Sequence, residues 1–143
     1  MLGHILLAVD GSPNSRKAAD FARTLVQGTT SRLTVVVALE PPGATVIPAL
    51  DGMVFTAPHP SVQELAAARD MMDEIERALS HEHVAMRLEV GQAAEVVCRL
   101  AEELGVDLVV LGARGRNPVS RWLLGSVSRR VTEHAPCPVT VVR

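Results

Sequence analysis

Five arginines and no acidic residue lie between Leu108 and Thr132: Arg114, Arg116, Arg121, Arg129 and Arg130. The same stretch contains Gly112-Ala113-Arg114-Gly115-Arg116-Asn117-Pro118 and then Gly125-Ser126-Val127-Ser128. A glycine-punctuated turn lets backbone N–H groups come close to an anion. Gly125 breaks the helical pattern, and Ser126 is placed to cap the helix that follows. Free N–H groups and the positive end of a helix dipole then meet where a phosphate would be welcome. A locally basic segment in a chain of net charge −2 points to a bound anion. A tight turn beside a solvated arginine face is the other reading of these residues, since glycine-rich turns are common at such junctions.

Asp10 is the second chemically informative residue. It stands in Asp10-Gly11-Ser12-Pro13, after an apolar run and before a helical pattern. Its carboxylate could hold a ribose hydroxyl, an adenine amino group, or a metal with its phosphates. It could equally do no more than form the turn. A Walker A loop needs Gly-Lys-Ser/Thr, and the one lysine, Lys17, follows Arg16, so that motif is absent. No G-x-G-x-x-G follows the first apolar run. His81 and His83, two apart, would fall on different faces of a helix, and His4, His59 and His134 lack ligand-spaced partners. Cys98 belongs to an apolar stripe and reads as a packing residue. No Ser/His/Asp set can be assembled for nucleophilic catalysis.

These residues need a frame. Five apolar runs recur: His4–Val9, Leu33–Leu39, Ala85–Val90, Leu108–Leu111 and Val139–Val142. Four are nearly continuous in Val, Leu and Ile, as in parallel strands covered on both faces. The third alternates, which suits a strand near a sheet edge. Helical stripes fill the gaps: Ala18, Phe21, Ala22 and Leu25; Leu65, Ala68, Met72, Ile75 and Leu79; and Val96, Val97, Leu100, Ala101 and Leu104, the last closed by Gly105. A final helical region is predicted from about Pro118 to His134, ending before Pro136. Strand–helix alternation of this kind predicts an α/β doubly wound sheet with helices on both faces. If the first and fourth strands are neighbours, Asp10 and Gly112 flank one crevice at the carboxyl ends of the strands. Residues 40–60 hold five prolines and two glycines, so they predict an irregular surface insertion rather than a continuous helix or central strand.

Composition narrows the function classes. At 143 residues the chain is expected to form one domain, residues 1–143. Aromatic residues make up only 2%, so stacking platforms for single-stranded nucleic acid are not expected. The net charge of −2 supplies no basic field toward DNA or an anionic membrane. No apolar run approaches the ~20 residues that span a bilayer. The first residues lack a basic flank and a small-residue cleavage site, and the cysteines lack CxxC spacing, so a cytoplasmic location is expected.

Together these residues resemble the universal stress protein family. The resemblance covers nearly the whole chain. It starts with Ile5-Leu6-Leu7-Ala8-Val9-Asp10-Gly11-Ser12 and runs through the long variable loop to Gly112-x2-Gly115-x9-Gly125-Ser126 and Ala135-Pro136-Cys137-Pro138-Val139. The family's ATP-binding members carry G-x2-G-x9-G-S/T, and the spacing here matches throughout. The resemblance implies a five-stranded parallel sheet in the order 3-2-1-4-5. It implies ATP as ligand, with any Mg2+ or Mn2+ held mainly by the phosphates. Carried over residue by residue, it places Ala8 and Asp10 beside the adenosine and the Ala38 backbone at adenine. Gly112, Ala113, Arg114 and Gly115 then form the ribose and phosphate loop, and Gly125, Ser126 and Val127 the phosphate cradle. Ala113 stands where the family often has serine.

The function so implied is an ATP-binding stress-response regulator with little or no turnover and no catalytic residue. The alternative is a slow ATPase or a nucleotidyl-transfer enzyme of the related α/β superfamily. The last strand, residues 138–142, is apolar, opens with an edge-tolerated proline and has only Arg143 beside it as a guarding charge. In the resembling family this strand pairs with its twin across a two-fold axis, which implies a homodimer. A monomer whose edge is covered by the 40–60 insertion is the alternative.

Overall fold

Leu6 and Leu7 are adjacent and wholly buried, yet they belong to different cores. They lie on β1 (His4–Ala8), where successive side chains point to opposite faces of the sheet. Leu7 joins Val35 of β2 (Arg32–Leu39) beneath α1 (Pro13–Val26) and α2 (Val62–Leu79). Leu6 joins Val36 and Val109 beneath α3 (Ala93–Leu104) and α4 (Ser126–His134). Helices cover both faces, so the strands must be apolar on both, which explains their continuous Val/Leu/Ile runs. Each fully buried leucine or valine here contributes roughly 1.5–3 kcal/mol of transfer free energy.

The computed structural model describes residues 1–41, 45–49, 52–56, 59–115 and 123–143. The main sheet is completed by β5 (Val84–Val90), β6 (Leu108–Gly112) and β7 (Val139–Val142). Its order is β5-β2-β1-β6-β7 and every pairing is parallel. Counting main-sheet strands alone, this is the expected 3-2-1-4-5. The chain builds outward from β1 through β2 to β5, then returns to β1's other side with β6. The connections leaving β1 and β6 therefore diverge, opening a crevice at their carboxyl ends. Among the described residues, no helix is long and apolar enough to cross a membrane.

Several sequence expectations need correction. The 40–60 stretch contains a hairpin, β3 (Thr45–Ala49) paired antiparallel with β4 (Gly52–Thr56), rather than irregular chain alone. Pro48 sits within β3, where a two-stranded ribbon leaves each strand one open edge and so tolerates the missing N–H. Phe21 is 38% exposed, because the buried stripe of α1 runs through Ala18, Ala22 and Val26. The fourth helix starts at Ser126. Arg116, Asn117, Pro118, Arg121 and Trp122 lie outside the described residues. Other features match expectation: β5 is an edge strand, and Gly105 closes α3 in the left-handed conformation.

Candidate functional site

β1 stops at Ala8, but the Val9 N–H still reaches the Val36 carbonyl at 3.0 Å, so Asp10 is the first residue past the sheet. Asp10 Oδ1 accepts the Ser12 N–H at 2.9 Å. Ser12 is the N-cap of α1, and its Oγ accepts the Ser15 N–H at 3.2 Å. Ser15 Oγ donates in turn to the Ser12 carbonyl at 3.0 Å. Asp10 is therefore the turn former that its sequence context suggests, but through one oxygen. The other, Oδ2, faces the second chain segment: a β-carbon built on Gly115 would fall 2.8 Å from it.

That segment leaves β6 at Gly112. A β-carbon there would lie 2.8–2.9 Å from Asn14 and the Ser15 nitrogen, so Gly112 lets the first turn of α1 press against β6. Its glycine is required by packing, independently of any ligand. Ala113 is buried and donates its N–H to the Val142 carbonyl at 2.7 Å. The Ala113 carbonyl accepts the Gly125 N–H at 2.7 Å. A β-carbon on Gly125 would sit 3.2 Å from that carbonyl oxygen and 3.3 Å from the Arg114 Cα. The two glycine stretches, ten residues apart in sequence, are thus in backbone contact.

Gly125, not Ser126, is the N-cap of α4, and no side chain of the described residues caps that helix. This corrects the expectation for Ser126, which is the first helical residue and is exposed. Among the described residues, the opening N–H groups of α4 have no side-chain acceptor. No acidic residue occupies that turn, so the helix dipole is uncompensated locally. Val127 follows, half-buried against the α3/α4 core. Among the described residues, the N–H groups of Arg114 and Gly115 also have no hydrogen-bond acceptor.

The crevice between these segments is a cleft of about 590 Å³, within the ~300–1,000 Å³ usual for small-molecule sites. Every residue singled out for it in the sequence lines it: Ala8, Asp10, Ala38, Gly112, Ala113, Arg114, Gly115, Gly125, Ser126 and Val127. One wall is apolar, formed by Val36, Ala38 and Leu39 of β2, Ala68 and Met71 of α2, and Val97 of α3. The other holds the polar glycine segments. Sequence reasoning missed Ser12, Ser15, Ser128, Glu40 and Glu64, which also line the cleft. Ser12 carried a readable signal, as a serine one residue before a helix-starting proline. Ser128 carried none, because its partner lies 15 residues away.

The carboxylates in the cleft have assigned partners. Glu40 Oε1 takes the Ala93 N–H at 2.9 Å, at the uncapped start of α3. Glu64 closes a capping box with Ser61, and the Ser61 N–H and hydroxyl hold its carboxyl below the usual range. Among the described residues, no cluster of three or more His, Cys, Asp or Glu could hold a metal. His81 and His83 are not helical, so it is not opposite helix faces that separate them, a correction to the sequence expectation. Their rings meet edge-on at 5.8 Å, and His81 Nε2 lies 2.7 Å from the Ser31 carbonyl. Cys98 and Cys137 are free, and burial raises both thiols.

Comparison with known proteins places this geometry in a group. The sequence model described as the universal stress protein family matches residues 1–143. The putative universal stress protein SH1215 of Staphylococcus haemolyticus is 33% identical over 141 residues, covering 98% of this chain and 84% of that protein. The solved structure of universal stress protein UspA from Lactobacillus plantarum superposes with a TM-score of 0.80 at 29% identity, covering 98% and 97% of the two chains. The universal stress protein from Archaeoglobus fulgidus solved in complex with dAMP shares the fold, with a TM-score of 0.69 at 19% identity, covering 100% and 98%.

Proposed function

The chain belongs to the universal stress protein family, and we propose that it binds an adenine nucleotide, ATP foremost, in the β1/β6 cleft and acts as a stress-response regulator. One observation carries the reading. Arg114 and Gly115, whose N–H groups have no acceptor among the described residues, line the same cleft as the uncapped first turn of α4. A phosphate satisfies such groups, and the helix dipole favours its charge. Gly125 keeps the approach open, and the Ser126 hydroxyl, free of capping duty, adds a donor to a phosphate oxygen. The dAMP complex of the Archaeoglobus fulgidus relative supports adenine in particular.

The remaining residues divide the nucleotide between them. The apolar wall around Ala38 suits the flat adenine ring, with the Ala38 backbone supplying polar contacts. Ala8 and Asp10 lie toward the ribose. A divalent cation accompanying ATP would be held mainly by the phosphates, with Asp10 the carboxylate facing the glycine loop. Little turnover is expected. Glu40, Glu64 and Asp10 each hold a backbone N–H through one oxygen, which ties the cleft carboxylates to structural duties.

We also assign β7 to a homodimer interface in the cytoplasm. It is an edge strand of four half-buried residues with no charge among them. The opposite edge, β5, is guarded by Arg87 and Glu89, paired at 2.7 Å. The direct test of the nucleotide reading is to denature freshly purified protein and chromatograph the released small molecules. Adenine nucleotide near one per chain supports it; protein that neither carries nor takes up adenine nucleotide refutes it.

A further inference from the structure

Two serine hydroxyls grip consecutive carbonyls of the glycine loop. Ser128, buried in the first turn of α4, donates Oγ–H to the Ala113 carbonyl at 2.7 Å. Its Oγ also lies 3.1 Å from the Gly125 carbonyl. A hydroxyl has one proton to give, and the shorter, 15-residue bond is the one that joins two chain segments. Ser12 donates its Oγ–H to the Arg114 carbonyl at 3.3 Å. The peptide unit is planar and trans, so the C=O and N–H of one unit point in opposite directions. Drawing the Ala113 carbonyl toward Ser128 puts the Arg114 N–H on the other side of the loop. Drawing the Arg114 carbonyl toward Ser12, at the start of α1, turns the Gly115 N–H away from α1. These are the two loop N–H groups without acceptors among the described residues.

We propose that Ser128 is a positioning residue that locks the glycine loop against α4 and so fixes how the loop presents its N–H groups to a phosphate, letting the cleft discriminate phosphorylated from unphosphorylated adenosine. This rests on the nucleotide reading above. Ser128 itself spends its hydroxyl proton on Ala113. Without that hydroxyl the Ala113 carbonyl keeps only the Gly125 N–H, and the loop gains freedom to rotate its peptide planes. The apolar adenine wall, built from β2, α2 and α3, is untouched.

The test is calorimetric titration of wild type, Ser128→Ala and Ser128→Thr with ATP and, separately, with adenosine. Loss of one hydrogen bond's worth of positioning predicts ATP affinity about tenfold weaker in Ser128→Ala, adenosine affinity within about twofold of wild type, and recovery in Ser128→Thr. Equal weakening of both ligands, or no weakening of ATP, overturns the proposal. Amide exchange supplies a readout that needs no nucleotide. Ser128→Ala should speed exchange at the Gly125 amide while the Leu7 amide in β1 is unchanged. Unaltered exchange at Gly125 would overturn the clamp even if affinities changed. A wild type that binds neither ligand refutes the nucleotide reading and the discrimination built on it, and the exchange arm then decides the clamp alone.

Discussion

Gly112 and Asn14 meet backbone to backbone: a β-carbon on Gly112 would fall 2.8 Å from the Asn14 carbonyl carbon. Neither element can yield easily, since β6 is paired on both sides and α1 is buried through Ala18, Ala22 and Val26. Gly112→Ala is therefore expected to lower folding stability by about 1–3 kcal/mol through overpacking. Urea denaturation measures it. An unchanged midpoint would show that α1 and β6 are not locked together at this point.

Turnover should be very slow. The cleft carboxylates Glu40 and Glu64 each accept a helix-end N–H, at 2.9 Å from Ala93 and 2.7 Å from Ser61. ATP hydrolysis by protein freed of contaminating ATPases is expected far below the enzyme median of ~10 per second. Sustained hydrolysis near that rate would favour the slow-ATPase or nucleotidyl-transfer reading.

Stability should fall as the solution is made mildly acidic, through His4. Its ring lies 2.8 Å from Thr34 Oγ1, and burial, with help from the Arg32 guanidinium, holds its pKa below 6.5. The unfolded chain then takes up the proton before the folded one does. Stability from this group is complete above pH 6.5 and is lost as pH falls from there toward the folded value. The carboxyls of Asp107, Glu89 and Glu64 sit below their usual range and titrate later. Denaturation midpoints at about pH 7.5 and about pH 5.5 should therefore drop in wild type and drop less in His4→Gln. Equal drops would assign the effect to other groups.

Association should run through β7. Val141↔Leu111 is its register with β6, and among the described residues its other edge has no strand beside it. Sedimentation should show a wild-type dimer and a largely monomeric Val141→Lys. A monomeric wild type, or a variant equally dimeric, would contradict this interface.

Much of the frame was legible because burial on both sheet faces forces continuous apolar strands. Leu6 and Leu7, adjacent leucines on opposite faces of β1, carry that pattern in the amino-acid sequence itself. The glycine spacing was visible in the sequence, but the crowding that a β-carbon would meet at Gly112, Gly115 and Gly125 was not. The hairpin of Thr45–Ala49 and Gly52–Thr56 was not legible, because the five prolines of residues 40–60 argue against strands, although only Pro48 falls within them. Ser126 was misread as a cap because serine usually caps better than glycine. Here the Gly125 position lies against Ala113 and Arg114, which leaves little room for a side chain. Ser128 and Ser12 do their work across 15 and 102 residues, a relationship that no local pattern encodes.

The central claim is that the glycine segments and the start of α4 form a phosphate cradle. Titration of ATP into nucleotide-free wild type and Gly125→Val tests it most directly. A β-carbon at Gly125 would lie 3.2 Å from the Ala113 carbonyl and 3.3 Å from the Arg114 Cα, so a valine there should push the two glycine segments apart and spoil the cradle. Wild type should bind ATP with a stoichiometry of about one site per chain, and Gly125→Val, folded by circular dichroism, should lose at least about a hundredfold in affinity. A folded Gly125→Val that binds ATP as tightly as wild type would contradict the account.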